Sequence, residues 1–184
     1  MQTIETSYDN GRGVVRIGSP LEVKVSRREY DAIQEITINK FGDFYTPDNN
    51  GRIRVSENGI YYLNASELGL TDLHESIGEL SALEELYLDG NKLTKLPESI
   101  GKLSALKKLD LDGNKLTALS ESIGKLSTLK KLDLSGNQLT TLLKSIGDLS
   151  YLRELDLSGN PKELYEEAKE LIKKLEIKGV LVYK

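Results

Sequence analysis

His74 is the only histidine in 184 residues and there is no cysteine, so little in this chain can act as a base or a nucleophile. A hydrolase triad needs an imidazole beside an activated nucleophile. In the repeat described below, His74 falls where other turns carry Pro97, Ser120 and Leu143, which marks a surface position rather than a base. The lack of cysteine removes thiol catalysis, disulfide scaffolds and Cys/His zinc sites together. Asp110-Leu111-Asp112-Gly113-Asn114 has the acidic spacing that opens a calcium loop, but an EF-hand requires glycine at the sixth position, where Lys115 stands, so the twelfth-position Glu121 has no loop to close. Gly11-Arg12-Gly13 lacks the spacing and following helix of a dinucleotide loop, and no Walker motif occurs. The remaining carboxylates read as solvated charges. No catalytic residue, metal ligand or cofactor is expected, and the chain is read as a non-enzyme.

Composition sets the class of partner. Lys+Arg number 25 against 29 Asp+Glu, a formal charge of −4, which leaves no surplus of cations to hold a phosphate backbone; nucleic acid is not an expected partner. No apolar run approaches the ~20 residues of a membrane-spanning helix. The opening Met1-Gln2-Thr3-Ile4-Glu5-Thr6 has neither the basic nor the apolar region of a signal peptide. A cytoplasmic location is favoured, with secretion after removal of a signal the alternative, and a monomer is the expected state. The length suits one domain, or one with an extension, that buries its own core.

The elements that position these residues follow from a repeat. Segments 80–102, 103–125 and 126–148 read LSALEELYLDGNKLTKLPESIGK, LSALKKLDLDGNKLTALSESIGK and LSTLKKLDLSGNQLTTLLKSIGD, a period of 23. A fourth copy opens at Leu149, and Ile60, Leu63, Leu70, Leu73 and Ile77 lie one period before Leu83, Leu86, Leu93, Leu96 and Ile100. In Leu86-Tyr87-Leu88 the alternation has period 2, so the leucines point inward from a short strand. Gly-Asn then marks a turn at Asn91, Asn114, Asn137 and Asn160, whose side chains can bond neighbouring backbone. Leu93, Leu96 and Ile100 fill the opposite wall before the next strand. One such unit cannot bury its own apolar face, so the units must stack, with capped ends.

The run LxxLxLxxNxL continuing into LxxLPxxIGxL, complete from Leu83 to Leu103, resembles the leucine-rich repeat family, in particular the 23-residue class of bacterial, archaeal and plant intracellular arrays that includes the Ras-group and Roco-type proteins. The resemblance covers about 57–161 and implies an α/β repeat solenoid with a parallel concave sheet. It departs from the family pattern where Pro97 is replaced by His74, Ser120 or Leu143, and where Leu68 stands in the asparagine column. It further implies that partners bind the concave face.

The ends read as caps. In 162–184, Leu164, Ala168, Leu171, Ile172 and Leu175 form one helical stripe, followed by a strand at 180–183. Residues 1–56 read as a β-rich cap, with a small functional module as the alternative. Val15-Arg16-Ile17 and Leu21 to Val25 alternate like a hairpin, and Ser26 to Glu29 reads as a capping box opening a short helix. Ile33, Ile36, Ile38 and Phe41 imitate a degenerate first coil, followed by a turn at Asp48 to Gly51 and alternation from Arg52 to Val55.

Positions between the strand leucines face the concave side. Row by row they are Tyr62, Asn64, Ser66; Glu85, Tyr87, Asp89; Lys108, Asp110, Asp112; Lys131, Asp133, Ser135; and Glu154, Asp156, Ser158. Tyr61, Tyr62 and Tyr87 gather at the N-terminal end, and tyrosine is enriched at binding hot spots; Tyr61 can instead pack under the cap. Five strands ~4.8 Å apart offer only about 240 Å², against ~800 Å² per partner in a standard interface, so a peptide fits better than a folded partner using this face alone. The expectation is a protein- or peptide-binding face made by Tyr62, Asn64, Glu85, Tyr87, Asp89, Lys108, Asp110, Asp112, Lys131, Asp133 and Asp156. The alternatives are a scaffold, or a fragment of a larger protein, with no ligand there, and cation or carbohydrate binding on the acidic strip.

Overall fold

The alternation of leucine with polar residues produces three-residue strands whose central leucine is buried and whose flanking residues are not. The computed structural model describes residues 6–9, 12–17, 21–26, 28–29, 31–32, 52–56 and 58–184. Strands β1 (Thr6–Asp9), β2 (Arg12–Ile17) and β3 (Leu21–Ser26) form a three-stranded antiparallel sheet. The main sheet has seven strands: β4 (Ile53–Ser56), β5 (Gly59–Asn64), β6 (Glu85–Tyr87), β7 (Lys108–Asp110), β8 (Lys131–Asp133), β9 (Glu154–Asp156) and β10 (Leu181–Tyr183), side by side in chain order. From β5 to β10 all neighbours are parallel. The ladder continues past each short strand, Leu88, Leu111 and Leu134 N–H donating to the Asp110, Asp133 and Asp156 carbonyls.

On the other wall each turn makes a five-residue 3-10 helix, at Glu75–Glu79, Glu98–Lys102, Glu121–Lys125 and Lys144–Asp148. The leucine and isoleucine columns between the two walls form one continuous core from Ile60 to Val180. Between strand and turn runs a ladder of buried asparagines. Asn114 donates from Nδ2 to Leu88 O (2.9 Å) in the preceding turn and to Leu111 O (3.0 Å) in its own, and its Oδ1 accepts from Leu93 N–H (3.0 Å). Asn91, Asn137 and Asn160 repeat the pattern. Leu68 breaks the asparagine column, but Asn91 of the next turn supplies the Ala65 carbonyl (2.8 Å) and accepts from both Leu68 N–H and Leu70 N–H.

Two glycine columns have different causes. Gly90, Gly113, Gly136 and Gly159 adopt φ of 60–70°, the left-handed turn that favours glycine. In the Ile-Gly column φ is ordinary, but a Cβ on Gly101 would lie 2.7 Å from Ser122 O in the next turn, so successive 3-10 turns stack only because the side chain is missing.

The C-terminal stripe is realised as two helices, α1 (Lys162–Glu167) and α2 (Lys169–Ile177), rather than one. The interruption is local: Ala168 has φ −86° and ψ 2°, yet Ala168 N–H still bonds Leu164 O and Ile172 N–H bonds Ala168 O, so the apolar stripe keeps its phase. Leu164, Ala168, Ile172 and Leu175 are buried over the last turn.

At the front, β2 and β3 pair antiparallel, as their alternation suggests. Residues 28–29 and 31–32 are helical, but Ser26 ends β3, and the Glu29 carboxylate accepts from Ile60 N–H (3.1 Å), anchoring this segment to β5. The alternation from Arg52 onward becomes β4, which runs antiparallel to β5 because only two residues separate Ser56 from its partner Gly59. The degenerate coil read at Ile33, Ile36, Ile38 and Phe41, and the turn at Asp48 to Gly51, lie outside the described residues.

Candidate functional site

Register places the concave residues in columns. Tyr62, Glu85, Lys108, Lys131, Glu154 and Leu181 stand in one; Asn64, Tyr87, Asp110, Asp133, Asp156 and Tyr183 stand in the next. The residues singled out from sequence therefore share one sheet face. Asp89 and Asp112 lie just past their strands, while Tyr61 alternates away from Tyr62 and is half-buried. His74 lies on the convex wall, where its Nδ1 caps a 3-10 turn by accepting from Ser76 N–H (3.2 Å).

The two tyrosines do not present bare ring faces. Their centroids are 5.4 Å apart at a 47° tilt; Arg54 covers Tyr62 with Cζ 4.4 Å from the centroid, and Lys108 Nζ lies 4.3 Å from the centroid of Tyr87. Each ring thus carries one cation over it and meets the other ring in a tilted contact. Tyr87 OH donates to Glu85 Oε2 (2.8 Å). Burial, then the Glu85 carboxylate, push the Tyr87 hydroxyl above its ordinary value. Burial pulls the Lys108 ammonium down, but Tyr87, Asp110 and Glu85 together outweigh it and the net direction is up.

The acidic column is uneven. Asp133 accepts from Ser135 N–H (3.0 Å) and Asp156 from Ser158 N–H (2.9 Å), and each also meets the hydroxyl of that serine. Asp110 is followed by Asp112 instead of serine, so it gains only a longer Asp112 N–H bond (3.3 Å) and a Lys108 ammonium at 3.8 Å. Burial, with Asp133 and Asp89 adding repulsion, raises the Asp110 carboxyl above the ordinary carboxylate value. Lys131 pairs with Glu154 at 2.6 Å, Ser135 Oγ also reaches Asp112 Oδ1 (2.8 Å), Ser66 Oγ bonds Asp89, and Asn64 Oδ1 accepts from Ser66 N–H (3.0 Å). Among the described residues, no group of three or more His, Asp or Glu side chains is arranged to hold a metal ion.

A family model described as a leucine-rich repeat region matches residues 59–177. The chain belongs to the leucine-rich repeat family. Solved structures of the same architecture include a leucine-rich repeat protein of Leptospira interrogans, LIC12759, 36% identical with a TM-score of 0.51 over 66% of this chain. This chain covers 29% of that protein's length. The leucine-rich repeat ectodomain of the Arabidopsis thaliana receptor kinase SOBIR1 is 27% identical with a TM-score of 0.62, over 75% of this chain and 82% of that one. An internalin, InlF, of Listeria monocytogenes is 24% identical with a TM-score of 0.50, over 68% of this chain and 33% of that one, and shares the fold. No curated protein matches the chain. Leucine-rich repeat proteins generally serve as non-enzymatic scaffolds or binding modules, commonly for other proteins. No helix among the described residues is long and apolar enough to cross a membrane.

Two features of this repeat face come from outside the 23-residue period. Arg54 enters it from β4, and Arg52, one pleat away, reaches the Ser66 carbonyl (3.2 Å). Their alternation with Ile53 was visible, but the antiparallel return that brings them beside Tyr62 is set by a hairpin, not by the 23-residue period. At the other end Leu181 and Tyr183 extend both columns, because β10 takes the place of a further repeat strand.

Proposed function

We propose that this leucine-rich repeat array binds a protein or an extended peptide on its concave face, with basic side chains of the partner lying along Asp110, Asp133 and Asp156. The supporting observation is the state of Asp110. It is a half-buried carboxylate with Tyr87 in register on one side and Asp133 on the other, raised by burial and by repulsion from Asp133 and Asp89, and it lacks the serine hydroxyl that Asp133 and Asp156 receive. A partner's lysine or arginine relieves that repulsion, and Tyr87 stands beside it in the same column. Capture from source-cell lysate by wild type and by Asp110→Asn/Asp133→Asn tests the reading. Both substitutions keep a side-chain oxygen to accept from Asp112 N–H and Ser135 N–H, and the variant should melt no lower than wild type. A partner retained only by wild type supports it, and equal retention by both removes binding from this column.

The scaffold reading has its own support: Arg54 and Lys108 already cover the two rings, and Glu85 already takes the Tyr87 hydroxyl. On that reading the face is satisfied from within, and no partner is captured by either form.

A further inference from the structure

Charge is divided between the two ends of the concave face. Arg54 stands opposite Tyr62 across the β4–β5 pair, so it continues the first column beyond β5, and it is exposed. Asp133 and Asp156 stand toward the other end, side by side in the second column on β8 and β9. Elsewhere in the two columns the charges are answered within the face. Lys131 pairs with Glu154 at 2.6 Å, Lys108 reaches Asp110 at 3.8 Å, and Glu85 takes the Tyr87 hydroxyl.

The ends are not answered in this way. Among the described residues Arg54 pairs with no carboxylate, and Asp133 and Asp156 pair with no ammonium or guanidinium. The Ser135 and Ser158 donors that hold Asp133 and Asp156 are neutral and leave the negative charge in place. At the other end Arg54 lies over the Tyr62 ring, a contact that leaves a guanidinium its charge and its coplanar N–H groups. The sheet sets the distance between the ends. Four strand spacings of ~4.8 Å separate β4 from β8, and the columns lie two residues apart, so Arg54 and Asp133 are about 20 Å apart across the face. An extended chain at ~3.3 Å per residue covers that span in about six residues.

We propose that the partner's binding segment is an extended stretch of mixed charge, with basic residues over Asp110, Asp133 and Asp156 and an acidic residue about six positions away that reaches Arg54. This rests on the concave-face reading and adds to it a second anchor of opposite sign. Together the two anchors select by spacing as well as by charge. A uniformly basic segment lays one of its cations against Arg54, and like charges brought together at an interface count against a partner. Asn64 and Tyr87, which lie between the anchors, carry no charge, so the intervening residues of the segment need none.

Synthetic peptides titrated at low salt into isotope-labelled chain, followed by amide chemical shifts, test the second anchor. The probe is a serine-rich peptide with two lysines at alternate positions and one glutamate about six residues on. A second peptide carries glutamine in place of the glutamate, and a third carries the glutamate directly beside the lysines. Wild type should bind the probe about two- to fivefold more tightly than either of the others, as befits one exposed ion pair. Arg54→Gln should bind the probe and the glutamine peptide equally, and Arg54→Lys, which keeps the charge, should restore the preference. Equal binding of all three peptides by wild type, or a preference that survives Arg54→Gln, overturns this inference and leaves the acidic strip standing. The strip itself falls if Asp110→Asn/Asp133→Asn binds the glutamine peptide as wild type does. Wild type that binds none of the peptides up to about 10 mM overturns both.

Discussion

Asn114 carries more of the solenoid than its single amide suggests. The carbonyls it serves are doubly supplied: Leu88 O accepts from both Asn91 and Asn114, and Leu111 O from both Asn114 and Asn137. Each therefore keeps a donor if Asn114 is lost. The Leu93 N–H is different, since its buried acceptor is Asn114 Oδ1. In Asn114→Ala that donor is orphaned, costing about 1–3 kcal/mol, and two side-chain bonds worth about 1 kcal/mol each go with it. A loss of about 3–5 kcal/mol is expected. At roughly 2–4 °C per kcal/mol for a chain of this size, melting should fall by about 10 °C. Urea unfolding followed by circular dichroism reads the energy, and hydrogen exchange at the Leu93 amide reads the mechanism. Lys115→Ala, on the exposed neighbour, should change stability by under about 0.5 kcal/mol. A loss below about 1 kcal/mol, or an unchanged Leu93 exchange rate, would refute the view that the asparagine ladder holds the turns together.

Asp110→Asn should stabilise the protein at pH 7 by about 0.5–1 kcal/mol, because like charges on paired strands are removed while the acceptor for Asp112 N–H stays. The native Asp110 carboxyl is raised, so the native state binds its proton more tightly than the unfolded chain does. Stability from this group falls as pH rises from its ordinary value through its raised one, and the advantage of the variant should vanish near pH 3 in paired thermal melts. Gly101→Ala should destabilise by about 1–3 kcal/mol through the contact with Ser122 O, read by chemical denaturation; an unchanged midpoint would mean that the convex turns can separate freely. Glu29→Ala should orphan the Ile60 N–H at a cost of about 1–3 kcal/mol, whereas Glu29→Gln, which keeps an acceptor, should lose much less; equal losses would point to charge rather than the hydrogen bond.

The leucine columns, the asparagine ladder and the strand register were legible because one period fixes all three. Once Leu86 and Leu109 are equivalent, the pairing of Tyr87 with Asp110 follows, as the register has it. What escaped depends on contacts that no period encodes. The Arg54–Tyr62 contact needs the chain to reverse between Ser56 and Gly59, and the Lys108–Tyr87 contact needs a side chain to lean across the ladder instead of outward. Without those cations, Tyr62 and Tyr87 read only as tyrosines gathered at one end of the face. The Ile-Gly column gave no sign of its cause either, since a glycine required by a neighbour's backbone looks the same in sequence as one required by its own φ. The break at Ala168 leaves the apolar stripe in phase, so periodicity could not reveal it.

Whether the concave columns are the binding face is tested most directly by amide chemical-shift mapping of isotope-labelled chain titrated with whatever protein it captures. The expected result is that the largest shifts cluster at Tyr87, Asp110, Asp133 and Asp156. Shifts confined to the convex turns around His74, Glu98 and Glu121 would contradict the account.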